Sequence, residues 1–96
     1  MKYLIVDACL SGTGIRDKYE GGYISTEDLK LSPALLSKIS QWLTKYQNEH
    51  YNGFINIDII DTLDIEGIEI AGKIKNELLD VKIEYFSAAR MTSKII

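Results

Sequence analysis

The sequence predicts a two-layer α/β (α+β) domain, with two amphipathic helices packed on one face of a sheet of three to five strands. Three features point there. The chain begins with an unbroken apolar run, Tyr3-Leu4-Ile5-Val6. Two long central segments repeat their apolar residues at helical spacing. A late segment, Val81–Phe86, alternates apolar and polar residues. At 96 residues the chain fits one domain spanning 1–96, since domains run from about 50 to 250 residues.

The opening run lacks alternation, which fits an interior strand rather than an edge, with an extension towards Cys9. Ser11-Gly12-Thr13-Gly14 then punctuates the chain. Glu20-Gly21-Gly22 lies between the short segments Ile15–Tyr19 and Tyr23–Ser25, and glycine tolerates the positive φ of a tight reversal, so a small β-hairpin is expected. The first helix has the clearest start. Ser32 can accept from free N–H groups of the first turn, and Pro33 lacks an N–H that would have no helical partner. Leu31 and Leu36 can close a hydrophobic staple across the cap. Leu35, Leu36, Ile39, Trp42, Leu43 and Tyr46 form the apolar stripe, and the polar segment from Gln47 to Gly53 ends the helix.

Phe54 to Ile60 alternates with Ile55, Ile57 and Ile59 on one side, which reads as a strand or an extended loop. The second helix is expected to start near Asp61, capped by that residue and stapled by Ile60 and Ile65. Its apolar arc comprises Ile65, Ile68, Ala71, Gly72, Ile74, Leu78 and Leu79, with Lys75 reaching from it to solvent. Gly67 and Gly72 each cost a helix about 1 kcal/mol relative to alanine, so close backbone contact is expected at both. In the last strand Val81, Ile83 and Tyr85 point inward and Lys82 and Glu84 outward. Ala88 to Ile96 carries no strong signal.

Fourteen acids against eleven bases leave a net charge of −3, and the bases are scattered along the chain. Nucleic-acid affinity depends on neutralising phosphates with Lys and Arg, so direct nucleic-acid binding is not expected. No apolar run approaches the roughly 20 residues needed to cross a bilayer. The N-terminus lacks the pattern of a signal peptide, because Asp7 interrupts the short apolar stretch. A cytoplasmic protein without membrane association is expected. Cys9 is the only cysteine and His50 the only histidine, which excludes an intrachain disulfide and a four-ligand Cys/His zinc site. No cofactor or metal is specified. Ser11-Gly12-Thr13-Gly14 lacks the Gly-Lys-Ser/Thr ending of a P-loop, and the acids after Asp58 lack the spacing of an EF-hand.

Leu4 to Gly12 (LIVDACLSG) resembles the segment of caspase-like peptidases that carries the nucleophilic cysteine. That resemblance implies a Cys9 nucleophile with nearby N–H groups holding an oxyanion. The family's histidine lies upstream of its cysteine. Here eight residues precede Cys9 and none is histidine, so a structural cysteine is expected and no catalytic residue is assigned.

Five acids, Asp58, Asp61, Asp64, Glu66 and Glu69, fall within twelve residues with no base among them. Asp61 and Asp64 suit a helix N-terminus, and the glutamates suit a solvated face. The alternative is an acidic docking surface for a basic protein, with Tyr51 and Phe54 as aromatic anchors beside it.

The frame L-x-L-S-P-x-L-x-x-x-I-x-x-W-x-x-x-Y at Leu29 to Tyr46 resembles small bacterial immunity proteins of polymorphic and contact-dependent inhibition toxin systems. So does E-G-x-x-[IL]-A-x-x-[IL]-K-x-E-L at Glu66 to Leu78, followed by a strand ending Tyr85-Phe86. The resemblance implies a non-enzymatic inhibitor that binds a cognate toxin, a basic nuclease domain in the simplest case. The expected partner-binding residues are then Asp58, Asp61, Asp64, Glu66, Glu69, Tyr51 and Phe54. Two alternatives remain at this level. One is a regulatory interaction module, monomer or homodimer, that pairs through an exposed edge at 81–86. The other is the Cys9-dependent enzyme.

Overall fold

A computed structural model of the chain describes residues 2–9 and 12–96. The elements run β1 (Lys2–Asp7), β2 (Ile15–Asp17), a 3-10 turn (Thr26–Leu29), α1 (Pro33–Tyr51), α2 (Ile57–Leu78), β3 (Val81–Ser87) and β4 (Thr92–Ile95). They build an α+β domain, two helices against a four-stranded mixed sheet of order β2-β1-β3-β4. β1 and β3 are parallel, with both helices in the connection between them, and β2 and β4 run antiparallel at the two edges.

Several early expectations about packing have a physical counterpart. β1 is an interior strand: Leu4 and Val6 enter the core under the helices, while Ile5 on the opposite face is buried between its cross-strand neighbours Arg16 and Glu84. That opposite face carries ion pairs. Lys18 Nζ lies 3.0 Å from Glu84 Oε1, Tyr3 donates to the same oxygen at 3.0 Å, and Arg16 Nε lies 3.1 Å from Asp7 Oδ2. Long side chains of opposite charge thus cover apolar surface that no helix reaches. Ser32 caps α1, its hydroxyl accepting from Leu35 N at 3.3 Å. Glu77 of α2 in turn accepts from the Ser32 N–H and hydroxyl, both at 2.7 Å. The reversal at Gly21 and Gly22 forms as an antiparallel bridge between Arg16 and Tyr23, with Gly21 at φ +80°.

The core joins Leu35, Ile39, Trp42 and Tyr46 of α1 to Leu63, Ile70, Ala71 and Ile74 of α2 and to Leu4, Val6, Ile83 and Tyr85 of the sheet. Trp42 is fully buried, and its indole donates to Leu63 O at 2.8 Å, which fixes the helices to each other. Gly67 shows the close approach expected of it, because an added Cβ would overlap the Tyr85 ring and lie 2.9 Å from Trp42 Cζ2.

Several expectations need correction. β1 ends at Asp7, short of Cys9, and α1 continues through the polar stretch to Tyr51. Ser11, the first residue of the expected glycine turn, lies outside the described residues, as does Leu10. Residues 54–60 are not a strand. Asn56 caps α2, accepting from Ile59 N at 3.2 Å, so the helix starts at Ile57 and the period-two alternation of isoleucines is incidental. Asp61 is therefore one turn inside the helix rather than its cap, and Ile65 is exposed rather than stapled. The buried arc of α2 runs through Ile60, Leu63, Asp64, Gly67, Ile70, Ala71 and Ile74. Gly72 has open space around it, with nothing within 4 Å of an added Cβ. Val81–Phe86 is not an edge, because β3 is paired on one side with β1 and on the other with β4.

Candidate functional site

The corner where α1 passes into α2 gathers most of the sequence-predicted residues. After Tyr51 the chain reverses through Asn52, Gly53 at φ +77° and Phe54 at φ +54°. These left-handed conformations turn the chain within a few residues, and Phe54 tolerates its own because the ring is held. It packs 4.4 Å from the His50 ring and 6.0 Å from the Tyr46 ring, centroid to centroid. Phe54 is thus a partly buried strut of the corner. Tyr51 lies outside, 80% exposed, together with Ile55 at 82% and Ile57 at 66%. Ile59 is also exposed. Burying an isoleucine stabilises a fold by about 1.5–3 kcal/mol, and these residues forgo that gain in the free chain.

The five acids separate. Asp58 and Glu69 are exposed and in no ion pair among the described residues. Asp61 is exposed and pairs with Arg90. Glu66 is half-buried and holds Lys45 of α1, whose Nζ lies 2.8 and 3.1 Å from its two oxygens. Asp64 is buried and unavailable to a partner. Its Oδ1 accepts from Tyr46 OH at 2.8 Å and Tyr85 OH at 2.6 Å, and its Oδ2 accepts from Ser87 Oγ at 2.9 Å and from the Arg90 guanidinium. This carboxylate ties α1, β3 and the turn before β4 to α2. Burial first, and then the adjacent carboxylate, push the Tyr85 phenol far up, while the Asp64 carboxylate is the main cause holding Arg90 above its ordinary value.

Between the C-terminal half of α1 and the N-terminal half of α2 lies a groove of about 450 Å³. Lys45, Asn48, Glu49, Asn56, Asp58 and Thr62 supply its polar lining, and Ile59 and Leu63 its apolar wall. Glu49 is 7% exposed, yet its carboxylate has no hydrogen bond or ion pair among the described residues. Lys45, one turn earlier on the same face of α1, is committed to Glu66. The sequence carries a sign of this residue that the apolar count missed, because Glu49 continues the stripe Leu35, Ile39, Trp42, Tyr46 at the next helical step. Arg90, which joins Asp61 to Asp64, lies in a segment without periodicity and gave no such sign. His50 stands at the end of α1 as expected, and its enclosed Nε2 has no partner among the described residues.

Cys9 lies beyond β1, where its own N–H donates to Asp7 Oδ1 at 3.0 Å. Burial, and then the Asp7 carboxylate, raise the thiol above its ordinary value. A nucleophilic cysteine needs the opposite shift, which a nearby cation or base supplies. The groups around this thiol are Asp7, Tyr23 and Arg16, whereas His50 packs on Phe54.

Among the described residues, none of the helices is long and apolar enough to cross a membrane, and no group of three or more His, Cys, Asp or Glu side chains could hold a metal ion. Neither a protein-family model, nor a curated protein, nor a solved structure matches this chain.

Proposed function

We propose that the chain is a cytoplasmic immunity-type protein that neutralises a cognate toxin by one-to-one binding, the toxin being a basic domain such as a nuclease. The observation that carries this reading is the α1–α2 corner. Tyr51, Ile55, Ile57 and Ile59 stand exposed there beside Asp58, with Glu69 three turns further along α2. Apolar and aromatic side chains supply the affinity of a protein interface, while unpaired carboxylates steer a cationic partner and reject an acidic one. A nuclease has to be basic to hold its substrate, so a small acidic inhibitor is complementary to it. Phe54 contributes by fixing the turn that presents Tyr51 and Ile55. Asp64 acts from inside, by holding α2 in place.

Titration calorimetry of the chain against the protein encoded immediately upstream tests the reading. One-to-one binding that weakens with salt is expected. Asp58→Lys with Glu69→Lys is expected to lower affinity, and Ile55→Ala with Ile57→Ala to lower it further, with circular dichroism unchanged in both. These two acids are the informative pair, because reversing Glu66 also breaks its bridge to Lys45. Absent binding, or binding indifferent to both pairs, overturns the reading.

A second reading, self-association, draws on β4. It is an edge strand whose four residues, Ile95 among them, are all exposed, and Met91 just before it is also open to solvent. Such an edge can pair with a second copy. Sedimentation velocity separates the two readings, since a monomer at micromolar concentration removes this one.

A further inference from the structure

We infer that the groove between α1 and α2 is a socket for an arginine side chain presented by the protein partner, with Glu49 as its acceptor and Asp58 at its rim. This deepens the binding reading given above and rests on it for the partner.

The argument starts from a cost. A carboxylate removed from water without a donor is expensive, and native proteins answer it with a hydrogen-bonded cation or donors. Glu49 is 93% buried on the 7% exposure it retains, and none of the described residues donates to it. Lys45, one turn earlier on the same helix and itself part of the groove lining, gives its ammonium to Glu66 instead. Among the described residues, the only side-chain polar atom that is both fully enclosed and without a partner is His50 Nε2, so the Glu49 oxygens keep an opening to solvent. Glu49 lines the groove, which therefore provides that opening.

The remaining lining fits a long cationic side chain. Ile59 and Leu63 offer apolar wall for a methylene stem, and the Asn48 and Asn56 amides offer polar contacts on the way in. Asp58, exposed and unpaired among the described residues, adds a second negative charge at the entrance. Arginine suits this better than lysine, because its planar guanidinium meets a carboxylate through two parallel N–H bonds and gives up its hydration more readily. The exposed Tyr51, Ile55 and Ile57 belong to the same corner, so a protein that covers them can bring a side chain to the groove.

The test uses butylguanidinium as the probe, with butylurea as its neutral counterpart and butylammonium as the lysine-like one. Each is titrated into the isotopically labelled full chain and followed by NMR. Butylguanidinium is expected to shift the Glu49 side-chain carboxyl resonance and the amides of Asn48, Asp58 and Thr62. Butylurea is expected to leave them in place. Glu49→Gln is expected to weaken guanidinium binding at least about tenfold while leaving the circular dichroism and melting temperature of the free protein unchanged. Loss of binding without loss of stability is a signature that a purely structural glutamate would not give. Shifts that ignore Glu49, equal shifts with butylurea, or an unchanged titration in Glu49→Gln overturn the socket, and tighter butylammonium binding overturns its assignment to arginine. The two readings can fail separately. Binding of the upstream protein that depends on Ile55 and Ile57 but not on Glu49 leaves the function standing without the socket. Guanidinium binding at Glu49 without that protein leaves the socket standing without the function.

Discussion

Two glycines of α2, five residues apart, have opposite roles that a propensity scale cannot separate. At Gly67 a methyl group would enter the Tyr85 ring and crowd Trp42, which is itself fully buried and hydrogen-bonded to Leu63. Overpacking of this kind typically costs about 1–3 kcal/mol, more than the gain in helix propensity returns. Gly72 has no such neighbour and lies mid-helix. Gly67→Ala is thus expected to destabilise the protein and Gly72→Ala to stabilise it by about 0.5–1 kcal/mol, as read from urea midpoints at unchanged slope. Cys9 allows an equally local test. Its thiol stays protonated at pH values where an unperturbed thiol begins to ionise, so iodoacetamide should modify it more slowly than a cysteine in a short peptide across pH 8 to 9. Rapid alkylation at pH 7 would revive the nucleophile reading. The motif around Cys9 was legible as a sequence pattern, but the direction of its proton affinity was not. That direction depends on burial and on the Asp7 carboxylate, which outweigh the lowering by Tyr23 and Arg16, and Tyr23 is brought there by the glycine reversal.

At the scale of elements, Asp64 is the joint of the structure. It receives Tyr46 from α1, Tyr85 and Ser87 from β3, and Arg90 from the turn before β4. Removing the carboxylate takes a shared acceptor from two buried phenols and leaves Arg90 with Asp61 alone, and Asp64→Ala is expected to cost about 3 kcal/mol. Arg90 is half in solvent, so Arg90→Ala should cost much less, and the difference between the two in chemical denaturation measures how much of the joint is internal. Sequence reasoning placed Asp64 in an acidic surface because it sits among four other acids. The helical phase separates them, and α2 begins four residues earlier than Asp61 alone suggested, at a cap supplied by Asn56. The first helix shows the reverse situation. Ser32, Pro33 and the stripe from Leu35 to Tyr46 announced it without ambiguity, because its cap, first turn and buried face agree.

For the molecule as a whole, acidity has a direction. Burial alone would raise the Glu84 carboxyl, but Lys18 and the Tyr3 hydroxyl outweigh it and hold the group below its ordinary 4.5. The Ser32 hydroxyl and N–H lower Glu77 similarly. Below the ordinary value the unfolded chain binds protons that the native one does not, so stability present at neutral pH is lost as pH falls through the depressed folded values. Urea unfolding between pH 7 and 3 should show this decline, and Glu84→Gln should make it shallower.

The sequence by itself determined the fold class, the interior strand, the capped first helix and the inward side of the last long strand. Each is a local signal, written in periodicity and in the chemistry of one turn. Only the tertiary structure decided which acid is buried, which isoleucines remain outside, and that Glu49 borders a groove while none of the described residues donates to its carboxylate. Those outcomes depend on how one helix is rotated against another, and on side chains that meet across sequence separations of 18 to 41 residues, a relation that no window along the chain contains.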